Sequence, residues 1–145
     1  MKRHKSLAPL SREHHEALIL AQLLKKGAPA YKDLPTDKEG KVMYALALFN
    51  EKMRSHFITE ELMMDKLHII ADETLHEMSL EIRNDHRKIS AMFSALSPES
   101  TESELDVLGK KLEEHIRKEE RVIFPLIEKL ATPELMEELH NDLRH

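Results

Sequence analysis

Residues 105–126 read LDVLGKKLEEHIRKEERVIFPL, and their spacing decides the fold. Steps of three and four place Leu105, Leu108, Leu112, His115, Glu119, Val122 and Leu126 on one face of a helix. That face is apolar except at His115 and Glu119, which stand one turn apart, at roughly 6 Å of axial rise. A carboxylate set among leucines is strongly unfavourable unless it is paired or bound to a cation. The helix therefore faces a core, and that core has to accommodate an imidazole and a carboxylate.

The same pattern recurs along the rest of the chain. Val42, Leu46, Phe49, Met53, His56, Glu60, Met63 and Leu67 form a second such face, with a second His-x-x-x-Glu pair at His56 and Glu60. Leu75, Ser79, Ile82, His86, Ile89, Phe93 and Leu96 form a third. Leu10, His14, Ala17, Ala21 and Leu24 form a fourth. These last two faces carry one histidine each.

Punctuation separates the four segments. Ser11 reads as the N-cap of the first, which runs to about Lys26, before Gly27 and Pro29. The second opens at Thr36 with Glu39 as its capping-box partner and runs to about Leu67. Asp72 caps the third, which ends near Leu96. The fourth starts at Thr101 or Ser103 and reaches about Leu130, with Pro125 kinking or ending it. Thr132 and Pro133 then open a short terminal helix. The chain has 145 residues and only 3 glycines, and no strand pattern or repeat stands out. The expected fold is all-α: one domain, an antiparallel up-down-up-down four-helix bundle over about residues 10–130 with a short C-terminal helix.

Composition narrows the chemistry. With no cysteine, disulfides and thiolate metal sites are excluded, so any metal takes nitrogen and oxygen ligands. The net charge of -5 argues against a nucleic-acid partner. The longest near-continuous apolar run, Val42 to Phe49, is too short to span a bilayer. The basic start, Met1 to Lys5, has no apolar run after it, so a cytoplasmic protein without membrane partner is expected. There is no nucleophile triad, phosphate loop or nucleic-acid motif.

One histidine on an apolar face is more often a hydrogen-bonded core residue than a ligand. Four on inward faces, two of them with a glutamate one turn on, favour a shared cation. Imidazole with carboxylate suits iron, zinc or manganese. Four helices converging at one level offer more ligands than one ion takes, so two ions held by a bridging carboxylate are expected. His14 is preferred to His15, which projects about 100° off the stripe. Glu61 and Glu120, one residue off-stripe, are expected chiefly to face solvent, with bonding to a ligand imidazole as the lesser alternative. His4, His68, His76, His140 and His145 are expected at the surface; Glu73 with His76 gives a single off-stripe Glu-x-x-His, poor grounds for a ferritin-like site. Met53, Met63, Met64, Met92, Phe49 and Phe93 are read as core filling.

Four motifs in order resemble the hemerythrin-like (HHE cation-binding) family. They are Leu10-Ser11-Arg12-Glu13-His14-His15-Glu16-Ala17-Leu18, His56-Phe57-Ile58-Thr59-Glu60-Glu61, Asn84-Asp85-His86-Arg87-Lys88-Ile89 and His115-Ile116-Arg117-Lys118-Glu119-Glu120-Arg121-Val122-Ile123-Phe124-Pro125. The resemblance covers roughly Pro9 to Lys129. It implies two non-haem iron ions, carboxylate- or oxo-bridged, with His14, His56, His86 and His115 as imidazole ligands and Glu60 and Glu119 as carboxylate ligands. It implies dioxygen or a related small oxidant as the ligand bound or sensed. The alternatives are an iron-oxidising or peroxide-decomposing enzyme on the same centre, and a metal-stabilised module that binds another protein.

The chain departs from the oxygen-carrying members of that family. Their third helix supplies two histidines four apart, whereas Ile82 and Ser90 stand one turn either side of His86 here. Their fourth-helix carboxylate comes five residues after its histidine; here Glu119 comes four residues after, and Glu120 holds the five-residue position. Fewer imidazoles leave one iron with open or water-filled positions, which fits sensing, storage or oxidative chemistry better than reversible carriage.

Overall fold

A computed structural model describes residues 3–143 of the chain. Among them no strand forms. The helices are α1 (Ala8–Leu24), α2 (Lys38–Leu48), α3 (Arg54–Leu67), α4 (Glu73–Ser94), α5 (Glu102–Lys118), α6 (Phe124–Leu130) and α7 (Pro133–Leu143). Single π-helical turns, Phe49–Met53 and Glu119–Ile123, join α2 to α3 and α5 to α6. The chain thus runs as four long rods and a short last helix. His145 lies outside the described residues.

Local chemistry explains the ends. Asp72 accepts from the Leu75 amide at 2.8 Å, and Thr101 with Glu104 forms a full capping box. Gly27 takes a φ of 74°, the left-handed conformation that stops a helix at little cost. Two expected starts move. The first helix begins at Ala8, with Pro9 in its first turn, so Ser11 lies inside it and bonds Glu120 instead of capping. The second is capped by Asp37, whose side chain accepts from the Gly40 amide.

The π turns revise the expected stripes. Each inserts an extra residue into the helical repeat and rotates the residues downstream by about a quarter turn. After Glu119 the inward residues are Ile123, Phe124 and Ile127, all 0% exposed, while Val122 is 46% exposed. Before the first turn Ala45 and Leu48 take the buried places, and Leu46 is only partly buried.

α1 packs most extensively against α5. Gly109 allows that approach: a Cβ there would stand 2.7 Å from the Ala21 carbonyl oxygen. α4 packs against both α3 and α5. The core falls into two apolar clusters. One gathers Ala17, Leu20, Ala21, Leu24, Phe49, Phe57, Phe93, Leu108, Leu112 and Ile116, with Phe49 stacked on Phe93 at 4.6 Å. The other gathers Leu7, Leu10, Met63, Met64, Ile82, Phe124 and the inner face of α7. The buried polar side chains of the site occupy the level between them.

Candidate metal centre

His14, His56, Glu60, His86, His115 and Glu119 are all buried, the most exposed at 7%, and the structure brings all six together. They form two overlapping sets. His14, His56, Glu60 and Glu119 offer ligand atoms within 4.8 Å of one another, and so do Glu60, His86, His115 and Glu119. Both glutamates belong to both sets. His15 is exposed, so the stripe position decides between the two neighbouring histidines. His68 is exposed, whereas His4, His76 and His140 are half-buried, and none of these joins the cluster.

Each histidine turns Nδ1 outward to a carboxylate and Nε2 inward. Glu13 Oε1 lies 2.8 Å from His56 Nδ1, and Glu61 Oε2 lies 2.8 Å from His86 Nδ1. Asp85 Oδ2 lies 3.0 Å from His115 Nδ1, and Glu120 Oε2 lies 2.6 Å from His14 Nδ1. These contacts close a ring: α1 backs the histidine of α3, α3 that of α4, α4 that of α5, and the turn after α5 that of α1. A carboxylate on Nδ1 fixes the ring orientation and raises the basicity of the opposite nitrogen, the arrangement found behind metal-bound histidines. Glu61 and Glu120 are therefore bound to imidazoles rather than facing solvent.

Asp85 and Glu13 are partners of the buried imidazoles that the stripe pattern does not reveal. A signal is present, since every outer carboxylate adjoins an inner residue in sequence: Glu13 beside His14, Glu61 beside Glu60, Asp85 beside His86, Glu120 beside Glu119. A step of one residue turns the side chain by about 100°, toward the next helix.

Two of the inward nitrogens share Glu60, His14 Nε2 at 3.3 Å and His86 Nε2 at 3.0 Å. His56 Nε2, His115 Nε2 and both oxygens of Glu119 are buried without a hydrogen bond. His56 Nε2 comes within 3.1 Å of Glu60 Oε2, and His14 Nε2 within 2.9 Å of Glu119 Oε1. The latter pair is close but does not meet hydrogen-bond geometry. An unpaired buried polar atom costs about 1–3 kcal/mol, a cost that a cation bound among these four would offset. The donor set, imidazole nitrogen with carboxylate oxygen, fits iron, zinc or manganese.

Electrostatics agree. Burial opposes charge on His14, but the adjoining carboxylates of Glu119, Glu120 and Glu60 outweigh it and push its pKa up to about 12. His56 is likewise pushed up to about 10, against burial, by Glu60 and Glu13. Glu60 falls well below the usual carboxylate range despite its burial, held there by His56, His14 and His86. Glu119 is raised by burial and by the neighbouring Glu60. Protons thus supply the positive charge that the glutamates demand, and a bound cation would replace them.

Fold and site together define an all-helical protein with a buried imidazole–carboxylate cluster built to hold cations. A family model described as Hemerythrin HHE cation binding domain matches residues 5–127, with a second match over 81–145. The chain belongs to the hemerythrin HHE cation-binding domain family. No curated protein and no solved structure matches it. No described helix is long and apolar enough to cross a membrane.

Proposed function

We propose that the protein holds two iron ions in this cluster and uses them to bind or sense dioxygen or a related small oxidant. The observation that carries this reading is the pair of overlapping ligand sets sharing Glu60 and Glu119. One ion would take His14 and His56, the other His86 and His115, and the shared glutamates would bridge them. Iron bound there would supply electrons to a small oxidant. The chain's own part is to orient four imidazoles through their backing carboxylates and to hold the layer between two apolar clusters.

Two features favour a ligand-binding centre over a closed structural one. Each set offers two imidazoles and two carboxylates, fewer donors than six-coordinate iron takes. Ile82, fully buried, and half-buried Ser90 add none. A cleft of about 610 Å³ reaches the cluster, with His14, His56, His115 and Glu119 on its wall. That opening also gives an iron-oxidising or peroxide-decomposing enzyme its support as the second reading. We take the four rods as an up-down-up-down bundle, in keeping with their connections and with the packing of α4 against α3 and α5.

The test is the optical spectrum of iron-loaded protein in air. A charge-transfer band that appears with oxygen and reverses on its removal supports binding or sensing. Steady consumption of peroxide or ferrous iron supports the enzyme. One zinc per chain, indifferent to oxygen, contradicts both.

A further inference from the structure

The ring of outer carboxylates is uneven. Three of the four are held by cations. Arg3 contacts Glu120 at 3.2 Å, and Arg83 contacts Glu61 at 3.4 Å. Lys111 and Lys118 hold Asp85 at 3.1 and 3.0 Å. Glu13 is different: its side chain is 55% exposed, and no lysine or arginine pairs with it among the described residues. It also stands on the wall of the cleft, beside His56.

The two metal positions differ in the same sense. The cleft reaches both His14 and His56, but only His115 of the other pair. His86 is covered by Phe57, stacked on it at 4.0 Å with the planes 12° apart. The imidazole nearest solvent therefore has the least constrained support, and its inward nitrogen, buried and unpartnered, adjoins the open space.

We propose that metal enters and leaves through this cleft, and that the ion held by His14 and His56 exchanges faster than the ion held by His86 and His115. Glu13 is the positioning residue that sets the difference. It steers the His56 ring into the ligating pose, and because no lysine or arginine among the described residues anchors it, that ring swings out more readily than the other three. The inference rests on the cluster holding two metal ions and adds a regulatory property: one position equilibrates with the surrounding metal pool while its neighbour stays filled.

The experiment loads the full chain with Co(II), mixes it with excess chelator, and tracks the absorbance in a stopped-flow instrument. Two release phases of equal amplitude are expected. Glu13→Gln should speed the fast phase about tenfold, in line with the effect of removing support from a ligand imidazole, and leave the slow phase unchanged. Glu61→Gln should speed the slow phase instead. Ser55→Trp, at an exposed position on the cleft wall, should slow both loading and fast release several-fold at unchanged equilibrium affinity. A single release phase, equal effects of Glu13→Gln on both phases, or unaltered rates in Ser55→Trp would overturn the proposal. Failure to take up any metal would overturn the functional reading beneath it, a separate result.

Discussion

The rod carrying His56 and Glu60 and the rod carrying His115 and Glu119 use the same motif, yet their glutamates live differently. Glu60 faces the Nε2 atoms of His14 at 3.3 Å and His86 at 3.0 Å, and that of His56 at 3.1 Å, so it stays ionised. Glu119 is equally buried, has no hydrogen bond, and lies against Glu60, which pushes its pKa up. Two carboxylates meeting in a dry space do not both ionise comfortably without a cation between them. The difference between two copies of one motif is thus a charge deficit, and a bound metal would erase it.

The largest effect should come from removing what the two sets share. Glu60→Ala and Glu119→Ala should each lose both ions by elemental analysis, whereas His56→Ala should lose one and His140→Ala none. The glutamates should then part company in the metal-free protein. Glu60→Gln removes the anion facing three imidazoles and should cost about 3 kcal/mol in urea unfolding, the scale for breaking a buried ion pair. Glu119→Gln replaces a group whose pKa burial and Glu60 already raise, and should cost less than Glu60→Gln. A comparable loss in both variants would mean that the two rods are electrostatically alike.

A smaller effect is expected from the backing carboxylates. Asp85→Asn should weaken metal affinity roughly 10-fold or more while preserving the helical content seen by circular dichroism. The mildest effect should be on pH dependence. His14 and His56 titrate near 12 and 10 in the folded metal-free chain, against an ordinary 6.5. The stability they contribute is fully present below about pH 6.5, and it is lost as pH rises through 10 and 12. The melting temperature of metal-free protein should therefore decline from pH 7 to pH 11. Metal-loaded protein should decline less, because its imidazoles hold an ion in place of the proton.

The inner layer is legible in the sequence because helical periodicity is a strong signal and a charged residue on an apolar stripe is conspicuous. His14, His56, His86 and His115 sit where that periodicity puts them. The sequence is less informative where the period itself changes. Nothing in Phe49–Met53 or Glu119–Ile123 announces a π turn, so periodicity alone puts Val122 inside and Ile123 outside, the reverse of what the backbone does. No proline follows the first turn, but for the second Pro125 offers a physical reason. It has no amide to donate, and the Glu120 carbonyl accepts instead from Arg3 Nη2 at 2.8 Å. Glu13 and Asp85 escape the stripe pattern for another reason: their partners are histidines on neighbouring helices, and a single-helix stripe carries no information about what lies across the gap.

Metal stoichiometry tests the central claim most directly. Anaerobic equilibration of the metal-free chain with excess Fe(II), then desalting and elemental analysis, should give two irons per chain, falling to none in Glu60→Ala. Uptake of no iron by the unmodified chain, or two irons retained when Glu60 and Glu119 are both replaced by alanine, would contradict it.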